Sequence, residues 1–177
     1  MQEFLEDGNL FPGIHHYSFS DFEKQFVTNF PTSSTRKRIF NNLKEWLLML
    51  TDILIPRYIW LNGSYLTTKV DPNDIDLVVF YAPEDIIQLG EEKTKKLKEV
   101  INDLSANYDC DAYFCYTFEQ SPIEIVAQFP EQAKIMQTYW KGQFCFDRQR
   151  RPKGIIELKQ ELIYELIGGV DNDFASR

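Results

Sequence analysis

The chain has 177 residues, enough for one domain, and its apolar and charged fractions are those of a soluble globular protein. A net charge of −8 argues against a general nucleic-acid binder, which carries a basic surface. No apolar run reaches the length of a membrane span, and the acids Glu3, Glu6 and Asp7 do not suit a secretory leader. Three scattered cysteines, Cys110, Cys115 and Cys145, form no CxxC pair, so neither a disulfide framework nor a zinc site is expected, and a reducing cytoplasm is the simplest compartment.

Residues 1–19 lack periodicity and carry turn signals at Asp7-Gly8-Asn9 and Pro12-Gly13. They read as an N-terminal arm whose Leu10, Phe11, Ile14 and Phe19 pack against the body. Ser20-Asp21-Phe22-Glu23 has the form of a capping box and predicts a short helix to about residue 26, ended by Pro31. Thr32 or Ser33 is expected to cap a longer helix over 33–51, with Ile39, Leu43, Trp46, Leu47 and Leu50 on one face. Strands follow over 57–61 and 74–81, with a helical turn near Pro83 and an amphipathic helix over 91–104 that turns Leu97, Val100, Ile101 and Leu104 inward. An aromatic third strand is predicted over 110–118, a helix over 131–140, a charged loop over 141–153 and a last helix over 155–167. The tail after Gly168-Gly169 reads as loose. The expectation is a single α/β (α+β) domain over 1–177: a small mixed sheet flanked by helices, with 120–177 a mainly helical C-terminal extension.

The chemistry concentrates between the first two strands. Leu61-Asn62-Gly63-Ser64 ends one of them, nine residues intervene, and Asp74-Ile75-Asp76-Leu77 opens the next. Side chains alternate along a strand, so Asp74 and Asp76 share a face with Cα atoms about 6.6 Å apart. Like charges 4 Å apart repel by about 4 kcal/mol at an effective dielectric near 20. Either a cation neutralises the pair or one member takes up a proton. Magnesium, a hard ion that prefers carboxylate, water and phosphate oxygen, suits the first option. Two basic clusters, Arg36-Lys37-Arg38 and Arg148 to Lys153, read first as solvated surface and second as phosphate clamps. The second is the better clamp candidate, because acids are sparse around it. Adjacent His15 and His16 point in different directions on most backbones and do not suggest a metal site. Tyr139 and Trp140 could stack on a base, with core packing the simpler role, and Thr67 and Thr68 serve equally well as nucleotide contacts or as turn polarity.

The Gly-Ser turn, the gap and the Asp-x-Asp pair resemble the signature of the polymerase-β-type nucleotidyltransferase superfamily, over about residues 57–81. The local form also resembles a group of small, poorly characterised bacterial and phage proteins within it. The segments 8–15 and 140–157 add to that narrower likeness. The resemblance implies a minimal nucleotidyltransferase fold and magnesium-dependent transfer of a nucleoside monophosphate from a nucleoside triphosphate to a hydroxyl on an RNA end, a protein or a small molecule. It implies metal ligation, by one ion or two, at Asp74, Asp76 and a third acid. Asp111 is chosen for that third place, with Asp109 and then Glu124 behind it. Phosphate binding is implied at Gly63 and Ser64, whose turn would open a helix, with Lys69, Arg148 and Arg151 as further candidates. No general DNA binding and no membrane are expected, and a partner protein is left open. Toxin–antitoxin and phage-defence members suggest a stress or defence setting. The antitoxin form Gly-Ser-x-Ala-Arg is absent, since Tyr65-Leu66-Thr67 follows Ser64. A catalytically idle module of the same fold, binding a nucleotide or a partner protein, is the rival reading.

Overall fold

The computed structural model describes residues 3–166 and shows a mixed α/β fold. The chain runs β1 (Gly13–His16), α1 (Phe19–Glu23), α2 (Arg36–Thr51), β2 (Tyr58–Asn62), β3 (Ile75–Tyr81), α3 (Pro83–Leu89), α4 (Glu91–Asn102), β4 (Cys110–Tyr116), α5 (Ile123–Val126), α6 (Glu131–Phe144), β5 (Gly154–Lys159) and α7 (Gln160–Leu166). The strands form one sheet in the order β1-β5-β2-β3-β4. β1 lies parallel to β5 and β3 parallel to β4, while β2 is antiparallel to both of its neighbours. Among the described residues no helix is long and apolar enough to cross a membrane.

Alternation along the strands divides two cores. Ile59, Leu61, Ile75, Leu77, Val79, Ile156 and Leu158 face α1, α2 and α4, where Phe22, Leu43, Trp46, Leu47, Leu97 and Ile101 meet them. Tyr58, Trp60, Val78, Phe80, Cys115 and Ile155 face the opposite way, against Trp140 and Phe144 of α6. The helix faces predicted for α2 and α4 are the buried ones apart from Leu104, which is partly buried.

Several expectations need correction. Residues 155–159 are strand, not helix, and β5 lies inside the sheet rather than in a helical extension. Ile-Ile-Glu-Leu fits either period, and pairing with β1 on one side and β2 on the other selects the extended form. The arm contributes the edge strand β1. Within it Leu10 is buried, while Phe11 and Ile14 stay exposed. The cap of α1 falls two residues early, because Ser18 is extended and its hydroxyl accepts from the Asp21 N–H at 3.1 Å. α2 begins at Arg36, whose N–H is taken by the Ser33 hydroxyl at 3.1 Å, so Ser33 serves the helix from outside its first turn. The tail predicted to be loose lies outside the described residues.

Candidate functional site

Strand register builds the site. Asn62 stands opposite Asp76, and Asp76 opposite Asp111. All three belong to the parity that faces α6, so one row across β2, β3 and β4 reads amide, carboxylate, carboxylate. Adjacent strands are about 4.8 Å apart. Asp74, two residues before Asp76, lines the same cleft. Asp76 is the half-buried member, while Asp74 and Asp111 are exposed.

Gly63 is required by Asp76. Its φ is +87°, and a Cβ there would lie 1.8 Å from the Asp76 Oδ2. The glycine therefore lets the carboxylate close over the turn. After it, Ser64–Leu66 makes one 3-10 turn rather than opening a helix, which removes the helix-dipole contribution expected for phosphate binding.

The loop that follows is clamped from below by Arg36. This side chain is fully buried, not part of a surface cluster. Its guanidinium donates to the carbonyls of Phe26 (3.1 Å), Tyr65 (2.8 Å), Thr67 (2.7 Å) and Lys69 (2.6 Å) and lies over the Phe30 ring. Burial lowers its pKa to about 10, so it stays charged at neutral pH. Asp71 adds a second tie by accepting from the Ser34 N–H at 2.7 Å and from the Ser33 and Ser34 hydroxyls.

The cleft above the row has a volume of about 810 Å³, a size that suits a small-molecule ligand. Its lining brings together the acids and Tyr113, the cations Lys69, Arg148 and Lys153, and Tyr139, Trp140 and Gln143 of α6. The Asp76 pKa is raised, first by burial and then by Asp74 and Asp111, while Lys153 pulls it back. Burial lowers the Lys153 pKa, and Asp76 and Asp147 oppose that shift. Two buried polar atoms in the cleft wall have no partner: Asn62 Oδ1 and Trp140 Nε1. Trp140 also packs on Tyr113, with ring centroids 4.6 Å apart.

Asp74, Asp76, Asp111, Gly63, Ser64, Lys69 and Arg148 thus share the cleft. Thr67, Tyr139 and Trp140 line it as well, while Arg151, Asp109, Glu124, Thr68, His15 and His16 do not. Arg151 is bound to Asp147 through Nε at 2.7 Å and reaches Asp7 at 3.3 Å, so it braces the arm in an adjoining recess. Asp109 is left-handed at φ 54°, accepts from Asn42 Nδ2 at 2.7 Å and pairs with Arg38. Glu124 sits exposed on the short α5, away from the cleft lining. Thr67 donates its hydroxyl to the Ser64 carbonyl at 2.8 Å, and the Thr68 N–H binds the Gly8 carbonyl at 2.9 Å, so both hold the turn. Adjacent on β1, His15 lies 2.6 Å from the Phe11 carbonyl and His16 lies 3.6 Å from Glu157. Lys153 belongs to the predicted basic cluster but is not singled out within it as Arg148 and Arg151 are, and it lines the cleft. Its parity with Ile155 on an extended β5 would have singled it out.

Among the described residues no group of three or more His, Cys, Asp or Glu side chains is arranged to hold a metal ion. The Tyr113 hydroxyl donates to Asp111 Oδ2 at 3.0 Å and occupies one of its oxygens. The donor chemistry itself fits a hard cation: crowded carboxylates, one of them with a raised pKa, beside an unpartnered amide oxygen.

Fold and site together define a mixed α/β domain with an acid row beside a glycine turn, in a cleft that also holds three cations. The chain belongs to DUF6932, a family of unknown function, whose model matches residues 2–159. That match takes in every strand of the sheet. No curated protein and no solved structure matched the chain.

Proposed function

We propose that this protein is a magnesium-dependent nucleotidyltransferase of the polymerase-β type, moving a nucleoside monophosphate from a nucleoside triphosphate to a hydroxyl acceptor. The observation that carries the reading is the in-register pair Asp76–Asp111 beside Gly63-Ser64, with Asp74 in the same cleft. Asp74, Asp76 and Asp111 would hold the ion or ions. When bound, magnesium neutralises triphosphate charge and makes the acceptor hydroxyl more acidic. Lys69, Arg148 and Lys153, in the same cleft, offset the remaining phosphate charge. Trp140 Nε1 offers a donor to a ligand oxygen, and the exposed Tyr139 ring offers a stacking face. The acceptor oxygen bonds to the α-phosphorus as the bond to the bridging oxygen breaks, and pyrophosphate leaves with that electron pair. The exposed Asp111, on edge strand β4, takes the hydroxyl proton. A net charge of −8 favours a protein or small-molecule acceptor over a long RNA. Three free cysteines and the absence of a membrane-crossing helix among the described residues are consistent with a cytoplasmic setting.

A second reading, a catalytically idle nucleotide- or protein-binding module, is favoured by the hydrogen bond that ties Asp111 to Tyr113. Turnover separates the two. Incubation with labelled nucleotides and cell lysate gives labelled RNA, protein or small molecule for the enzyme, and binding without transfer for the module. Asp74→Asn and Asp76→Asn each abolish transfer; undiminished transfer in both overturns the enzyme reading.

A further inference from the structure

We infer that Asn62 supplies a neutral oxygen ligand to the cation held at Asp76, making this a mixed amide and carboxylate site. The inference rests on the proposed function for the identity of the ion as magnesium. It stands on Asn62 itself for the site. Asn62 ends a strand that otherwise reads Tyr-Ile-Trp-Leu, and every residue of that strand is buried. Only 3% of the Asn62 surface is exposed. Its Nδ2 donates to the Phe144 carbonyl at 3.2 Å, which fixes the amide against α6 and leaves Oδ1 without a partner.

A buried acceptor without a donor is costly, and native folds rarely retain one without a reason. The surroundings narrow what can satisfy it. Across the ladder stands Asp76, and beyond it Asp111. Ionised carboxylates are acceptors and cannot donate to an amide oxygen. The next residue, Gly63, has no side chain and is overlain by Asp76 Oδ2. An acceptor set in a row of acceptors is satisfied by a cation, and amide carbonyl oxygens are accepted ligands of hard divalent ions. The Nδ2 bond to the Phe144 carbonyl accounts for the donor half of the amide, and the acceptor half is left for the cation.

The test uses the full chain stripped with chelator and titrated with manganese alone, by thermal melting and by electron paramagnetic resonance of the free ion. In the wild-type chain the melting temperature rises saturably. Asn62→Ala requires at least about 10-fold more manganese for half-saturation, taking the loss seen when metal-site shells are altered as a lower bound. Asn62→Asp, isosteric but charged, melts lower than wild type without metal and half-saturates at less manganese. A purely structural Asn62 predicts a different pattern: Asn62→Ala melts lower by a constant amount with half-saturation unmoved, and that result overturns the inference while leaving the proposed function standing. Saturable wild-type binding is the control that separates the two readings. Its absence removes the metal site and the enzyme reading together. If Asn62→Ala fails to fold, Asn62→Leu, uncharged and close in volume, decides in its place by the same shift in half-saturation.

Discussion

Asp76→Asn should make the metal-free protein more stable at neutral pH. Asp76 and Asp111 stand opposite each other on neighbouring strands, and Asp74 is two residues away. Unit charges about 4.8 Å apart at an effective dielectric near 20 repel by roughly 3.5 kcal/mol before screening. Asp76 has two such neighbours and one opposing cation, Lys153. Because Asp74 and Asp111 are exposed, solvent screening brings the net cost to about 1–2 kcal/mol. For a chain of this size that corresponds to about 2–8 °C in melting temperature. The sign follows from the raised pKa. Below the ordinary aspartate value both states hold the proton and the carboxyl costs nothing. As pH rises through the raised folded-state value, the wild type loses stability that the Asn variant keeps. Thermal melts in chelator across pH 4 to 8 read this directly: the advantage of Asp76→Asn is smallest near pH 4, grows and then levels. A variant equally or less stable than wild type at pH 7.5, or a difference independent of pH, refutes the reasoning. Adding magnesium should stabilise the wild type and leave the variant unmoved.

Other consequences are simpler to read. Arg36→Ala strands the carbonyls of Phe26, Tyr65, Thr67 and Lys69 and should cost about 3–5 kcal/mol in urea melts. Gly63→Ala combines an unfavourable φ with collision against Asp76 Oδ2 and should cost more than about 2 kcal/mol. In the Asp76→Ala background the backbone strain, about 1–2 kcal/mol, and a tight contact with the Asp76 backbone nitrogen at 3.3 Å are left, and a double-mutant cycle measures the difference. The Asp147 carboxyl meets some desolvation, but hydrogen bonds from Arg151, Gln149 and Asn9 outweigh it and lower its pKa to about 2. Its stabilising contribution is therefore present above the ordinary aspartate range and lost as pH falls towards 2. At neutral pH, Asp147→Asn should loosen the arm, seen as faster proteolytic cleavage near Asp7-Gly8.

Much of this architecture could be read from the chain. α2 and α4 carry an apolar stripe of helical period, and β2, β3 and β4 carry apolar runs bounded by turns. β1 could not be found this way, because a four-residue edge strand with exposed Ile14 has no alternation to detect. β5 was hidden by a run that suits two periods, and only its partners decide. Without β5, no face can be assigned to Lys153 within its basic cluster. Arg36 carried no signal at all, since burial of a cation depends on five carbonyls brought together from distant parts of the chain. The spacing of Gly63 and Asp76 was legible, but its physical reason was not: the glycine makes room for the carboxylate. Asp111 was legible by parity, and its register with Asp76 needed the parallel pairing of β3 and β4.

The most direct measurement follows the α-phosphate. Nucleoside triphosphate labelled at the α-position or at the γ-position is mixed with the chain, lysate and magnesium. The account predicts that α-label enters an acceptor and γ-label leaves as pyrophosphate, with both signals lost in Asp74→Asn and Asp76→Asn. Transfer of γ-label, or α-label transfer undiminished in both variants, contradicts it.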